Sequence, residues 1–168
     1  MELSPLAVAY ARARGNDRIS SFGACAALSD LVDLSTAKLL KREISDMIVA
    51  PAYDDAALEI LMTKKNGKYL IIDIDLDYEP GLVEERTLFG VHLVQDRNNM
   101  AITEKTLDHI VTENRDLPDA AKRDLLIAAI TLKYTQSNSV CFAKDRQTLG
   151  VGAGSITVYT VRGSLLRR

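Results

Sequence analysis

Apolar positions recur along this chain with two alternating spacings, one helical and one strand-like, and together they predict an α/β protein. Leu6, Val8, Ala9 and Ala13 follow helical spacing across residues 5–14, with Pro5 in the first turn and Gly15 as a stop. Residues 19–23 are short, β-leaning and end in glycine, and residues 24–32 fit a helix. Ser35 can cap a stronger helix in which Ala37, Leu39, Leu40, Ile44 and Met47 form the apolar face. Residues 47–50 have the pattern of a buried strand stopped by Pro51. Asp54 or Asp55 can cap a helix over residues 56–63, and Asn66-Gly67 signals a turn. Residues 69–74 form the clearest strand pattern, expected to be buried or half-buried.

The second half repeats the alternation. Residues 87–95 read as one strand, and residues 103–115 and 118–134 as amphipathic helices separated by Asp116-Leu117-Pro118. Residues 140–143 and 148–151 suit a hairpin turning about residues 144–147, and residues 155–161 form a further strand candidate. The polar turn formers Asp96-Arg97-Asn98-Asn99 mark the best internal boundary.

Composition narrows the class. The 168 residues are 47% hydrophobic and 26% charged, enough for an ordinary core. A net charge of −2 gives no electrostatic case for nucleic acid or an anionic membrane, and no apolar run reaches membrane-spanning length. Cys25 and Cys141 are far apart and lack metal spacing; with no signal-peptide pattern they are expected to be buried thiols of a cytoplasmic protein.

The candidate chemistry is mostly ambiguous residue by residue. His92 and His109 have no second ligand at metal spacing. Asp73, Asp75, Asp77 and Glu79 would share one face of a strand, which suits acid–base chemistry, a cation or a solvated surface. Residues 150–154, Gly-Val-Gly-Ala-Gly, lack the strand-then-helix context of a dinucleotide fingerprint, so tight backbone packing explains them better. The richest segment is Lys133-Tyr134-Thr135-Gln136-Ser137-Asn138-Ser139-Val140-Cys141. Six consecutive hydrogen-bonding residues sit at its helix-to-strand junction. Each is costly to bury without a partner, which suits recognition of a polar ligand or a loop that satisfies its own backbone.

That segment resembles a motif of the AICAR transformylase half of the bifunctional purine-biosynthesis enzymes. Further matches follow in the family's order: residues 9–15, 17–23, 42–46 and 48–51, then Arg86-Thr87-Leu88-Phe89-Gly90, Asp116-Leu117-Pro118 and Gly152-Ala153-Gly154. The resemblance covers about residues 5 to 154. It implies a cytidine-deaminase-like three-layer α/β fold in two tandem lobes, with residues 1–96 the later part of the first and 97–168 the early part of the second. It also implies formyl transfer from 10-formyltetrahydrofolate to AICAR, a purine-precursor ribonucleotide, by a cytoplasmic homodimer. Carried over residue by residue, Gly23, Asp46 and Asn138 match nucleotide-binding positions, and Lys65 matches a phosphate-contacting lysine. Thr135, Ser137 and Ser139 match a potassium site, and Asn138 can orient a carboxamide or formyl oxygen. Two features depart from the family. The Lys-His dipeptide that carries proton transfer does not occur here, and Gly154 is followed by Ser155-Ile156-Thr157 where the family has Gln-Gln-Ser-Arg. The chain therefore looks incomplete; the alternative is a non-catalytic nucleotide-binding or regulatory relative.

Overall fold

The computed structural model describes residues 2–154. The chain runs α1 (Pro5–Gly15), β1 (Ala24–Ala27), α2 (Leu34–Arg42), β2 (Ser45–Ala50), α3 (Asp55–Met62), β3 (Leu70–Asp73), β4 (Val83–Leu88), β5 (Val91–Asp96), α4 (Asp119–Lys133), β6 (Val140–Lys144) and β7 (Gln147–Gly152). The strand candidate at residues 155–161 lies outside the described residues.

β1, β2 and β3 form a parallel sheet in that order, each joined to the next through a helix. This is the mixed α/β architecture that the alternating pattern predicts. Ile48 and Ala50, two apart on β2, share one face and meet Ala37 and Leu40 of α2 and Ala57 and Leu61 of α3 in a core closed by Ala26, Val32 and Tyr69. Ser4 caps α1 through its hydroxyl, which accepts from the Ala7 amide at 3.2 Å. β4–β5 and β6–β7 are antiparallel hairpins with two-residue turns, Phe89-Gly90 and Asp145-Arg146. All four turn residues have positive φ, which matches the twist of the flanking strands. At the second turn the Asp124 carboxylate of α4 accepts from the amides of Asp145 (3.0 Å) and Arg146 (2.8 Å). Arg12 and Gln147 tie α1 to β7. The Arg12 Nε donates to Gln147 Oε1 (3.0 Å) and Gln147 Nε2 donates to the Arg12 carbonyl (3.1 Å).

Several local expectations are overturned. Residues 24–32 are not a helix: Ala24–Ala27 pair in parallel with β2, because small side chains fit a sheet edge and pairing overrides alanine's helix propensity. Residues 19–23 are turns, because the Asp17 carboxylate accepts from the amides of Ile19 (3.2 Å) and Ser20 (3.1 Å). The cap of α2 is Asp33, which accepts from the Thr36 amide at 2.7 Å, while the Ser35 hydroxyl accepts from the Ser4 amide instead. That helix ends at Arg42, so Ile44 is exposed and Met47 belongs to β2. Asp54 holds the cap position of α3 without a side-chain hydrogen bond.

The strand over residues 69–74 is present as β3, but only Tyr69 is buried; Leu70 is 54% exposed on this edge strand. The strand stops at Asp73, so Asp75, Asp77 and Glu79 share no strand face with it, and Asp75 instead accepts from the Asp77 amide at 2.9 Å. Residues 87–95 are two strands, because Phe89-Gly90 turns the chain. Of residues 103–115, only Glu104–Leu107 winds, as a single 3-10 turn. There the Thr103 and Thr106 side chains take the local backbone groups, and the Asn114 carboxamide takes the Asp116 amide at 2.9 Å. Cys25 is exposed and Cys141 half-buried, against the expectation of two buried thiols.

Candidate functional site

Three of the four predicted substrate-binding residues converge at the amino-terminal end of the parallel sheet. Gly23 sits one residue before β1, Asp46 is the second residue of β2, and Lys65 lies in the turn that precedes β3. The Gly23 amide donates to the Ile44 carbonyl at 3.1 Å, which brings it beside the start of β2. Gly23 has φ +73°, and a Cβ there would stand 3.4 Å from Asp46 Oδ2, so hydrogen at this position keeps the carboxylate face open.

Lys65 and Asn66 both adopt left-handed backbone, at φ 51° and 55°. That conformation swings the Lys65 side chain back over β2, where its ammonium pairs with Asp46 Oδ1. The pair is solvent-accessible, with side-chain exposures of 40% for Lys65 and 60% for Asp46. Exposed pairs contribute only about 0–1 kcal/mol. A ligand can therefore replace one partner at small cost. Together the site offers a carboxylate acceptor, an ammonium donor and bare backbone.

Behind this pair lies a second lysine that the sequence pattern did not flag. Lys64 is buried, and its ammonium donates to the carbonyls of Leu40 (2.7 Å) and Glu43 (2.6 Å) and to Ser45 Oγ (2.8 Å). Burial pulls its pKa below the usual lysine value, and the positive charges of Lys65 and Arg14 pull the same way. The only sequence signal was a Lys-Lys pair before Asn-Gly, which by itself reads as solvated surface.

Asn138 is not part of this cluster. It is exposed in the loop between α4 and β6, after a cis Ser137–Asn138 peptide bond, and no hydrogen bond joins it to Gly23, Asp46 or Lys65 among the described residues. Thr135 and Ser139 are half-buried and Ser137 is exposed. The Thr135 hydroxyl donates to the Thr131 carbonyl at 2.7 Å, which leaves its oxygen lone pairs available. Neutral hydroxyl oxygens suit a weakly held monovalent cation rather than a divalent one. No cluster of three or more His, Cys, Asp or Glu residues with metal-binding geometry occurs among the described residues. His92 faces Thr87 across the first hairpin, at 3.1 Å from the hydroxyl. A cleft of about 650 Å³ opens elsewhere, between Leu3 and Val8 on one side and Ile127 and Thr131 on the other, and none of the predicted site residues lines it. No described helix is long and apolar enough to cross a membrane.

The fold and this cluster define an α/β protein with an exposed Asp–Lys pair beside a left-handed glycine at the amino ends of its parallel strands. The family model described as AICARFT/IMPCHase bienzyme matches residues 3–160, and the chain belongs to that family. It is 38% identical over 153 residues to the bifunctional purine biosynthesis protein PurH of Magnetococcus marinus, covering 90% of this chain and 28% of that protein. To PurH of Lactobacillus acidophilus it is 38% identical over 146 residues, or 87% of this chain and 28% of that protein. To PurH of Cereibacter sphaeroides it is 37% identical over 153 residues, 90% of this chain and again 28% of that protein. The chain thus spans little more than a quarter of the length of the curated relatives it matches.

Proposed function

We propose that this chain is the central part of an AICAR formyltransferase of purine biosynthesis, cytoplasmic and homodimeric, with the cytidine-deaminase-like fold in two lobes meeting near residue 97. The observation that carries the reading is the Asp46–Lys65 pair beside Gly23, inside a segment whose sequence matches the family from end to end. In this reading Asp46 accepts hydrogen bonds from ribose hydroxyls, Gly23 admits the ligand against the backbone, and Lys65 turns from Asp46 toward the phosphate. Asn138 orients the carboxamide or formyl oxygen from the other lobe. Thr135, Ser137 and Ser139 supply neutral oxygens to a potassium ion that steadies that loop.

The reaction joins the 5-amino nitrogen of AICAR to the formyl carbon of 10-formyltetrahydrofolate, and the carbon's bond to the folate nitrogen breaks. A base must take the amine proton, and a positive group must stabilise the oxyanion. Neither exposed Lys65 nor neutral Asn138 combines the two roles, and no Lys-His pair occurs in the chain. These residues bind and orient; the proton-transfer groups come from other parts of the enzyme. Calorimetric titration of the purified chain with AICAR tests the binding role. Weak saturable binding is expected, measurably weakened in both Asp46→Ala and Asn138→Ala, and binding unchanged in both variants would put the site elsewhere.

A further inference from the structure

The Asp46–Lys65 pair is held from behind by Lys64. Lys64 is 8% exposed, and its ammonium uses all three of its protons on the Leu40 and Glu43 carbonyls and Ser45 Oγ. The ammonium also lies over the Tyr69 ring, 4.6 Å from its centre. Among the described residues no carboxylate forms an ion pair with it, because the Glu43 side chain is turned to Arg14 at 2.8 Å and Asp46 is paired with Lys65. Ser45 Oγ also hydrogen-bonds the Tyr69 hydroxyl at 2.8 Å, so the network is closed.

A buried ammonium among neutral acceptors is an expensive way to finish a helix, since a glycine cap or a turn would satisfy the same carbonyls. What the lysine adds is convergence. Its three bonds gather the end of α2 and the first residue of β2, and Asp46 is the next residue along that strand. Its own main chain leads straight into Lys65, whose left-handed backbone aims the second charge. One side chain therefore fixes both partners of the exposed pair, one through Ser45 and the other through the peptide bond.

We propose that Lys64 is a positioning residue that sets the Asp46–Lys65 pair for the ribose of a bound ribonucleotide; this rests on the reading of the site given above. The test is a double-mutant cycle on the full chain, read by calorimetric titration with AICAR. Lys64→Met keeps the length of the side chain and removes the ammonium. It is expected to weaken binding by roughly tenfold, about 1.4 kcal/mol. Combined with Asp46→Ala, it is expected to weaken binding no further than Asp46→Ala alone. A lysine that only stabilises the fold gives losses that add, and additive losses, or unchanged binding in Lys64→Met, overturn the proposal. If Lys64→Met does not fold, Ser45→Ala takes its place in the cycle, since it cuts the link to β2 and leaves the two carbonyl bonds. The amide resonances of Gly23, Asp46 and Lys65 give a readout that needs no ligand. They are expected to shift in Lys64→Met and to stay in place in Val32→Ala, which thins the same core elsewhere. Should the wild-type chain not bind AICAR while these shifts occur, the nucleotide reading fails and the positioning role stands. Amides that do not move overturn the positioning role itself.

Discussion

Gly23 and Gly15 make a matched pair for testing what glycine does here. At Gly23, φ is +73° and a Cβ would touch the Asp46 carboxylate at 3.4 Å, whereas at Gly15 the nearest atom is the flexible end of Gln147 at 3.8 Å, in a helical turn without positive φ. Gly23→Ala is expected to cost about 1–2 kcal/mol in urea denaturation, because an L side chain strains left-handed backbone. Gly15→Ala is expected to be neutral or to gain up to about 1 kcal/mol from helix propensity. Equal effects at the two positions would contradict the role given to Gly23. Tyr53 supplies a titration. Burial raises its pKa from 10.0 to about 12, the Asp73 carboxylate adds to the rise, and its hydroxyl donates to the Ile72 carbonyl at 2.8 Å. The folded pKa lies above the unfolded one, so this stability is complete below pH 10 and is lost as pH rises from 10 to about 12. Denaturation in that window should show a steeper alkaline loss for the wild type than for Tyr53→Phe, which has no proton to lose.

Among the elements, the hairpins carry a conflict that can be relieved. Phe89 has φ 52° at the first position of its turn and its side chain lies fully in solvent, so it gains no burial in return for the strain. Asn prefers that conformation in two-residue turns. Phe89→Asn is therefore expected to stabilise the chain by roughly 0.5–1 kcal/mol, read as a raised thermal midpoint. A lowered midpoint would mean that Phe89 packs against something in solution. The parallel sheet behaves differently: Leu40, Ile48 and Leu61 interlock from three elements with no exposure, so its stability is not separable strand by strand.

For the molecule as a whole, the decisive quantity is catalysis. The chain covers 28% of the length of its PurH relatives and contains no Lys-His pair. Formyl transfer by this chain alone is expected to be at least about a thousandfold slower than by a protein of the relatives' full length, since losing both the base and the oxyanion stabiliser removes several kcal/mol of transition-state stabilisation. A spectrophotometric assay with AICAR and 10-formyltetrahydrofolate compares the two. Comparable rates would require a base among the residues described, and would favour a different assignment of the site.

The sequence by itself determined the family, the alternation of helix and strand, and the strongest elements. Residues 118–134 and the hairpin over residues 140–151 were legible because amphipathic spacing and turn chemistry are local. So was β2, closed by Pro51. Ordered motifs, rather than any single residue's chemistry, singled out Gly23, Asp46 and Lys65, which the fold sets side by side. Tertiary structure decided the rest. Ala24–Ala27 became a strand only because β2 was available to pair with it, and residues 108–115 stayed irregular because side chains there took the backbone groups a helix needs. The depth of Lys64 depended on where α2 ended and β2 began, a distance of some twenty residues along the chain that only folding closes. Local spacing reports which residues can share a face; it carries no information about which distant backbone will meet that face, and burial, partner choice and charge placement follow from that meeting.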